Sequence, residues 1–108
     1  MPAAPLIGLC TVPDRDTATE IAEVLVIERL AACVNIIPAI QSVYRWQDAI
    51  EHDEELLLLI KSSDALWPLL QERLLAMHPY ELPEIISVPI QDGHSNYLNW
   101  IINNLKTP

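Results

Sequence analysis

Glycine is nearly absent from this chain: Gly8 and Gly93 are the only two. Their scarcity removes the loops that bring a backbone close to a phosphate, so neither a P-loop nor a dinucleotide fingerprint can be built. Basic residues are also few. Six Lys and Arg face fifteen Asp and Glu, for a formal charge of −9. Such a chain repels both a nucleic-acid backbone and anionic lipid, so nucleic acid and membrane are excluded as partners. Two cysteines, Cys10 and Cys33, cannot form a disulfide framework. There is no G-x-S-x-G elbow and no serine–histidine–aspartate cue. A thiol at Cys10 paired with His78 would sit in an apolar strand, where burial makes it inert, so no enzymatic activity is expected. No apolar run reaches the ~18 residues of a membrane span. The opening Met-Pro-Ala-Ala-Pro lacks the basic segment of a secretory leader, and a cytoplasmic location is expected.

What the chain does have is apolar side chains, 51% of its 108 residues. That length supports one core and hence a single domain over 1–108. So small a monomer cannot hide so much apolar surface, which already points to buried contacts between subunits.

Residues 5–12, PLIGLCTV, read as a strand bounded by proline. A turn at 13–16 leads into a helix over 16–32, with Ala18, Ile21, Ala22 and Leu25 on one stripe. Residues 33–47 form a long extended segment whose phase slips near Ile37 and Pro38, the mark of a bulge. Beyond it Ile40, Ser42, Tyr44 and Trp46 share a face. A hairpin turn is expected at Asp48–Ala49, followed by a returning strand over 50–62. A second helix is expected to begin between Asp64 and Trp67, with Pro68 in its first turn, and to end near Met77. Its stripe is Leu66, Leu69, Leu70, Leu74 and Met77. After the stiff loop 78–83 come a fourth strand at 84–90 and a final helix at 95–105.

The order β-α-β-β-α-β plus a helix is the split βαβ signature of an α+β, ferredoxin-like fold. Right-handed crossovers give an antiparallel sheet in the order 4-1-3-2. Pro38 and Pro89 then fall on the two edge strands, where a missing N–H is tolerated. The two hairpin strands are far longer than the usual ~5–6 residues, and at ~3.3 Å per residue they outrun any helix in the chain. Val43, Tyr44 and Trp46 sit on that overhang and need an apolar neighbour, which a second subunit would supply.

Several segments resemble the CutA family of divalent-cation tolerance proteins: LCTVPDRDTATEIA at 9–22, ERLAACVNIIP at 28–38, SVYRW at 42–46, EELLLLIKSS at 54–63, HPYELPEIISVPI at 78–90 and YLNWI at 97–101. The resemblance spans nearly the whole chain. It implies a ferredoxin-like fold, a homotrimer with sheet edges paired between subunits, and binding of copper or other divalent metal ions. The architecture is also similar to that of PII signalling trimers, so an alternative is a module that binds a small ligand or a partner protein in clefts between subunits. Two positions depart from the family pattern. Asp48 stands where a hairpin glycine is usual, and Met77 stands where some members carry a histidine.

Carried onto this chain, the resemblance points to Cys10 and His78 as metal ligands. Topology places the end of the first strand beside the end of the second helix and so adds Met77. Thiolate, thioether and imidazole together suit Cu(I). Each residue also has a plainer use: Cys10 as a small core residue, Met77 as the end of a helix stripe, and His78 as a helix-end cap. Tyr80, Glu81, Glu84 and Lys61 make a second cluster, read as salt bridges and a buried hydroxyl between subunits. His52 and His94 are expected in solvated turns, and Trp67 and Trp100 as packing residues.

Overall fold

The computed structural model describes residues 3–108. The first two residues of the stretch read for a leader lie outside it. The elements are β1 (Pro5–Val12), α1 (Arg15–Ile27), β2 (Cys33–Trp46), β3 (Ala49–Ser63), α2 (Trp67–Met77), β4 (Ile85–Pro89) and α3 (Ser95–Asn103). The sheet is antiparallel in the order β2-β3-β1-β4, the ferredoxin-like arrangement expected from the sequence.

The core lies between the sheet and helices α1 and α2. From β1 and β3 come Cys10, Val12, Leu58 and Ile60; from the helices come Ile21, Leu25, Leu70 and Leu74, all essentially without solvent exposure. Alternation along each strand delivers these side chains to one face. Gly8 belongs to the same surface: a Cβ there would meet the Trp67 ring at 3.2 Å, so the glycine lets the ring lie across the strand. α3 packs against β1 and β3. Its Ile101 is buried, Tyr97 reaches Lys61, and the Lys106 N–H donates to the Arg29 carbonyl.

Helix α1 stops five residues before the expected end. Arg29 takes a left-handed φ of 58°, and the Leu30 and Ala31 N–H groups both donate back to the Leu25 carbonyl. That is a helix-terminating turn of the left-handed type. Leu30 and Ala31 still bury their side chains, so an apolar pattern continues past the place where the helix ends. At its start, Asp14 accepts from the Thr17 N–H at 2.8 Å as an N-cap. α2 begins at Trp67 with Pro68 in its first turn, and the Ser63 hydroxyl receives the Leu66 N–H. Its buried stripe is narrower than expected, because Leu69 stays 39% exposed.

The expected bulge is present. The β2–β3 register shifts between Ile37 and Ile40, with Ala39 at a φ of 60°. The hairpin turn falls on Gln47 and Asp48, one residue earlier than expected, with φ values of 48° and 67°. Two successive left-handed residues form the tight turn whose twist matches the strands it joins. β3 has fifteen residues, but β1 pairs only with Leu56–Ser63. The remainder of the hairpin is a two-stranded ribbon that draws the molecule out to 44 × 25 × 22 Å.

A left-handed backbone costs a residue with a Cβ about 1–2 kcal/mol, of which glycine's extra freedom in the unfolded chain gives back about 0.4–1. Asp48→Gly is therefore expected to raise stability by up to about 1 kcal/mol, read as a higher thermal unfolding midpoint. A lower midpoint would show that the aspartate side chain itself holds the turn.

Candidate functional site

His78 follows the last turn of α2 and is buried, with both ring nitrogens engaged. Its Nδ1 accepts the Tyr80 N–H at 3.1 Å, which places the ring proton on Nε2, and that proton is donated to the Thr11 carbonyl at 2.8 Å. The imidazole thus ties the end of β1 to the loop leaving α2. The Tyr80 ring stands 4.7 Å from it, centroid to centroid.

Cys10 is the residue before Thr11 and points to the other side of the strand, into the core, with no solvent exposure. Burial pushes its thiol up to about 12, and the carboxylates of Glu84 and Glu55 add to the shift. Its Sγ lies 3.8 Å from the Thr11 carbonyl, a weak contact. Met77 packs half-buried against the same core. The structure therefore brings Cys10, Met77 and His78 to one end of the sheet, as topology suggested. As a resting metal centre they do not fit: the thiol is protonated and both imidazole nitrogens are occupied. Among the described residues, no group of three or more His, Cys, Asp and Glu is placed to hold a metal ion.

The other side of Thr11 faces a cleft of about 520 Å³. It lies between the overhanging part of the hairpin and the loop after α2. Thr11, Ser42, Val43, Tyr44 and Trp46 line it with Asp53 and Glu55, and the loop contributes Tyr80, Glu81, Leu82 and Glu84. Two phenol–carboxylate bonds organise it. The Tyr80 hydroxyl donates to Glu55 Oε2 at 2.7 Å, and the Tyr44 hydroxyl donates to Asp53 Oδ2. The bond to Asp53 raises Tyr44 to about 12. Burial first, and then the bond to Glu55, holds Tyr80 well above the usual phenol range. Both phenols therefore stay protonated donors at neutral pH.

Part of the second sequence cluster meets here. Tyr80, Glu81 and Glu84 share the cleft, and the half-buried Tyr80 donates its hydroxyl to Glu55 within the same subunit. Lys61 lies elsewhere: its Nζ is 3.2 Å from the Tyr97 hydroxyl and 5.6 Å from that ring's centroid. Trp67 packs on the core, whereas Trp100 is 43% exposed and stacks on Tyr97 instead. His52 is exposed but sits within β3, opposite Val43, and not in a turn. His94 is the exposed N-cap of α3. Sequence reasoning missed the participation of Asp53, Glu55 and Tyr44. The available signal was the acid-rich stretch EHDEE at 51–55, an unusual composition for a strand.

Comparison with known proteins places the chain. The family model described as CutA1 divalent ion tolerance protein matches residues 6–104. The chain belongs to this family. It is 51% identical over 96 residues to the divalent-cation tolerance protein CutA of Thermus thermophilus, covering 89% of this chain and 93% of that one. It is 44% identical over 96 residues to the chloroplastic CutA protein of Arabidopsis thaliana, covering 89% of this chain but only 53% of the plant protein. A solved structure of the Thermus protein superposes with a TM-score of 0.92 at 48% identity, covering 94% of this chain and 99% of that one. The chain thus spans nearly all of the bacterial family member but about half of the plant one.

The two cysteines are expected to differ sharply towards alkylation. Cys10 is buried with its thiol near 12, whereas Cys33 is half-exposed on an edge strand. Because the thiolate is the reactive form, iodoacetamide at about pH 8 should add one label to the native protein, on Cys33, and two after denaturation. Rapid native labelling of Cys10, read by peptide mass spectrometry, would refute the closed geometry.

Proposed function

We propose that this protein acts as a homotrimer that binds divalent cations and supports tolerance of them, as a binding protein in the cytoplasm and without catalysis of its own. Family membership supports the cation part. The trimer rests on one observation above all: the hairpin projects apolar side chains with nothing to cover them. Val43 is 62% exposed and Ile50 56%, with Tyr44 and Trp46 beside them. On β4, at the opposite edge of the sheet, Ile86 and Val88 are half-exposed. The two edge strands and these apolar faces lie on different parts of the chain, which suits head-to-tail pairing of unlike edges between copies, an arrangement that forms a ring when its rotation closes. No helix among the described residues is long and apolar enough to cross a membrane.

Copper at Cys10, Met77 and His78 is a separate form of the proposal, because the ion this donor set suits is monovalent Cu(I). In support, the three soft donors lie at one end of the sheet, on the end of β1 and the end of α2. Against a preformed site stands the chemistry described above: ligation requires the thiol to lose its proton and His78 to release one hydrogen bond. Cu(I), which bonds strongly to thiolate, is the ion that suits this set. The alternative is a PII-like regulatory trimer whose clefts between subunits take a small ligand or a partner protein. The acid-lined cleft beneath the hairpin favours it.

Sedimentation at micromolar concentration should give a species near three times 12.2 kDa. Trp46→Ala should weaken association by about 2–4 kcal/mol, the range of an interface aromatic, and more than Trp100→Ala does. A monomeric wild type, or dissociation unchanged in the Trp46 variant, would remove the hairpin as the anchor. For copper, a competition titration under reducing conditions should show tight Cu(I) binding that Cys10→Ser abolishes while the trimer persists. Equal binding by the serine variant would remove Cys10 from the site.

A further inference from the structure

We infer that Asp92–Gly93, in the link between β4 and α3, is a site of spontaneous covalent modification, at which the Gly93 nitrogen closes on the Asp92 side chain and the aspartate is re-formed as isoaspartate. It is the only step in the chain from Asp or Asn into glycine. Glycine matters here because a Cβ on the following residue hinders approach to that residue's nitrogen. Asp92 and Gly93 are both exposed and lie outside any helix or strand. Among the described residues, the backbone groups of 91–93 enter no backbone–backbone hydrogen bond, so no ladder opposes the rotation that the reaction needs.

The fold brings the reacting groups together. The Gly93 N–H donates to Asp92 Oδ1 at 2.8 Å, and the carboxyl carbon, the atom to be attacked, is one covalent bond from that oxygen. Packing also keeps a glycine in place. Its φ is not positive, so backbone freedom is not what selects it. A Cβ at this position would instead meet Leu98 Cδ2 at 3.1 Å, on the half-buried leucine of α3. The contact that seats the loop on the helix therefore demands the one residue type that leaves the nitrogen open.

The chemistry needs only water. The Gly93 nitrogen bonds to Asp92 Cγ and gives up its proton, and the carboxyl hydroxyl leaves as water, closing a succinimide ring. Water then adds to one ring carbonyl, and the bond from that carbonyl to nitrogen breaks as the proton returns to nitrogen. Opening at the main-chain carbonyl leaves the chain running through the Asp92 side chain. One water is lost and one gained, and nothing is oxidised or reduced. Hydroxyl leaves more readily from the neutral acid than from the carboxylate, so mild acid favours the reaction. The product carries one extra methylene in the main chain, just ahead of α3 at Ser95. That helix is seated by the buried Ile101 and by the Tyr97–Lys61 contact, so the change falls where α3 is aimed at the sheet.

The test ages the whole native protein in heavy-oxygen water and maps it by peptide mass spectrometry. A protein-isoaspartate carboxyl methyltransferase, which moves the labelled methyl group of S-adenosylmethionine onto the isoaspartyl carboxylate, gives a second readout. One heavy oxygen and the methyl label should both accumulate at Asp92, roughly tenfold or more above any other Asp or Asn. Conversion should be faster at about pH 5 than at about pH 8. Asp92→Glu keeps the charge but would have to close a larger ring, and it should abolish the signal. A peptide of residues 88–96 sets the rate without the fold, and the native protein should match or exceed it, because the fold already holds the carboxyl against the nitrogen. A native rate roughly tenfold below that of the peptide, label spread evenly over the other acids and amides, or equal label in the Asp92→Glu variant would each overturn the assignment.

Discussion

Half of the β2–β3 hairpin has no third strand. β1 ends its pairing at Leu56, and the ribbon beyond it is held by its own ladder and its tight turn. An isolated two-stranded ribbon is marginal in water. Much else in the structure answers to that constraint. The bulge at Ala39 falls where the supported and unsupported halves of β2 meet. The Tyr44–Asp53 bond joins the two strands of the overhang, and Tyr80 reaches from the loop to Glu55 at its root. Each of these ties fastens the ribbon to itself or to the body of the domain.

His78 is the second fastening, and it explains why the loop after α2 can serve as a wall. One imidazole links the Thr11 carbonyl on β1 to the Tyr80 N–H, and Tyr80 then delivers its hydroxyl to Glu55. The chain of contacts runs from the sheet through the loop to the hairpin. On the opposite side of the same strand, Cys10 is sealed among Val12, Leu58 and the helix side chains. A single strand thus separates a dry, apolar compartment from an acidic, open one. The thiol faces the first and the carboxylates the second, and Glu84 and Glu55 are near enough to raise the thiol further.

This division bears on how a cation could be handled. The open cleft offers carboxylates, the ligands that hard cations prefer, whereas the soft donors lie in or beside the core and are already engaged. The two compartments therefore differ in chemistry and in the work required to open them, and they can be addressed separately by substitution at Glu84 or at Cys10.

Most of the fold was written in local pattern. A short apolar run bounded by proline marked β1, residues sharing one face marked β2, and the phase slip near Pro38 marked the bulge, because each reflects a constraint that acts within a few residues. The end of α1 was not legible, since Leu30 and Ala31 remain core residues after the backbone has left the helix. The identity of Cys10, His78 and Met77 as neighbours followed from topology. That the thiol would be pushed to about 12 and the imidazole doubly bonded depended on which atoms packing brings to each side of β1. Likewise the sequence carries the acids of 51–55 as a polar strand and the tyrosines as packing residues. Only the tertiary structure joins Tyr44 to Asp53 and Tyr80 to Glu55, because those bonds close across a hairpin and across a separation of twenty-five positions in the chain. Periodicity reports which face a residue is on; which atoms meet there is decided by three-dimensional packing.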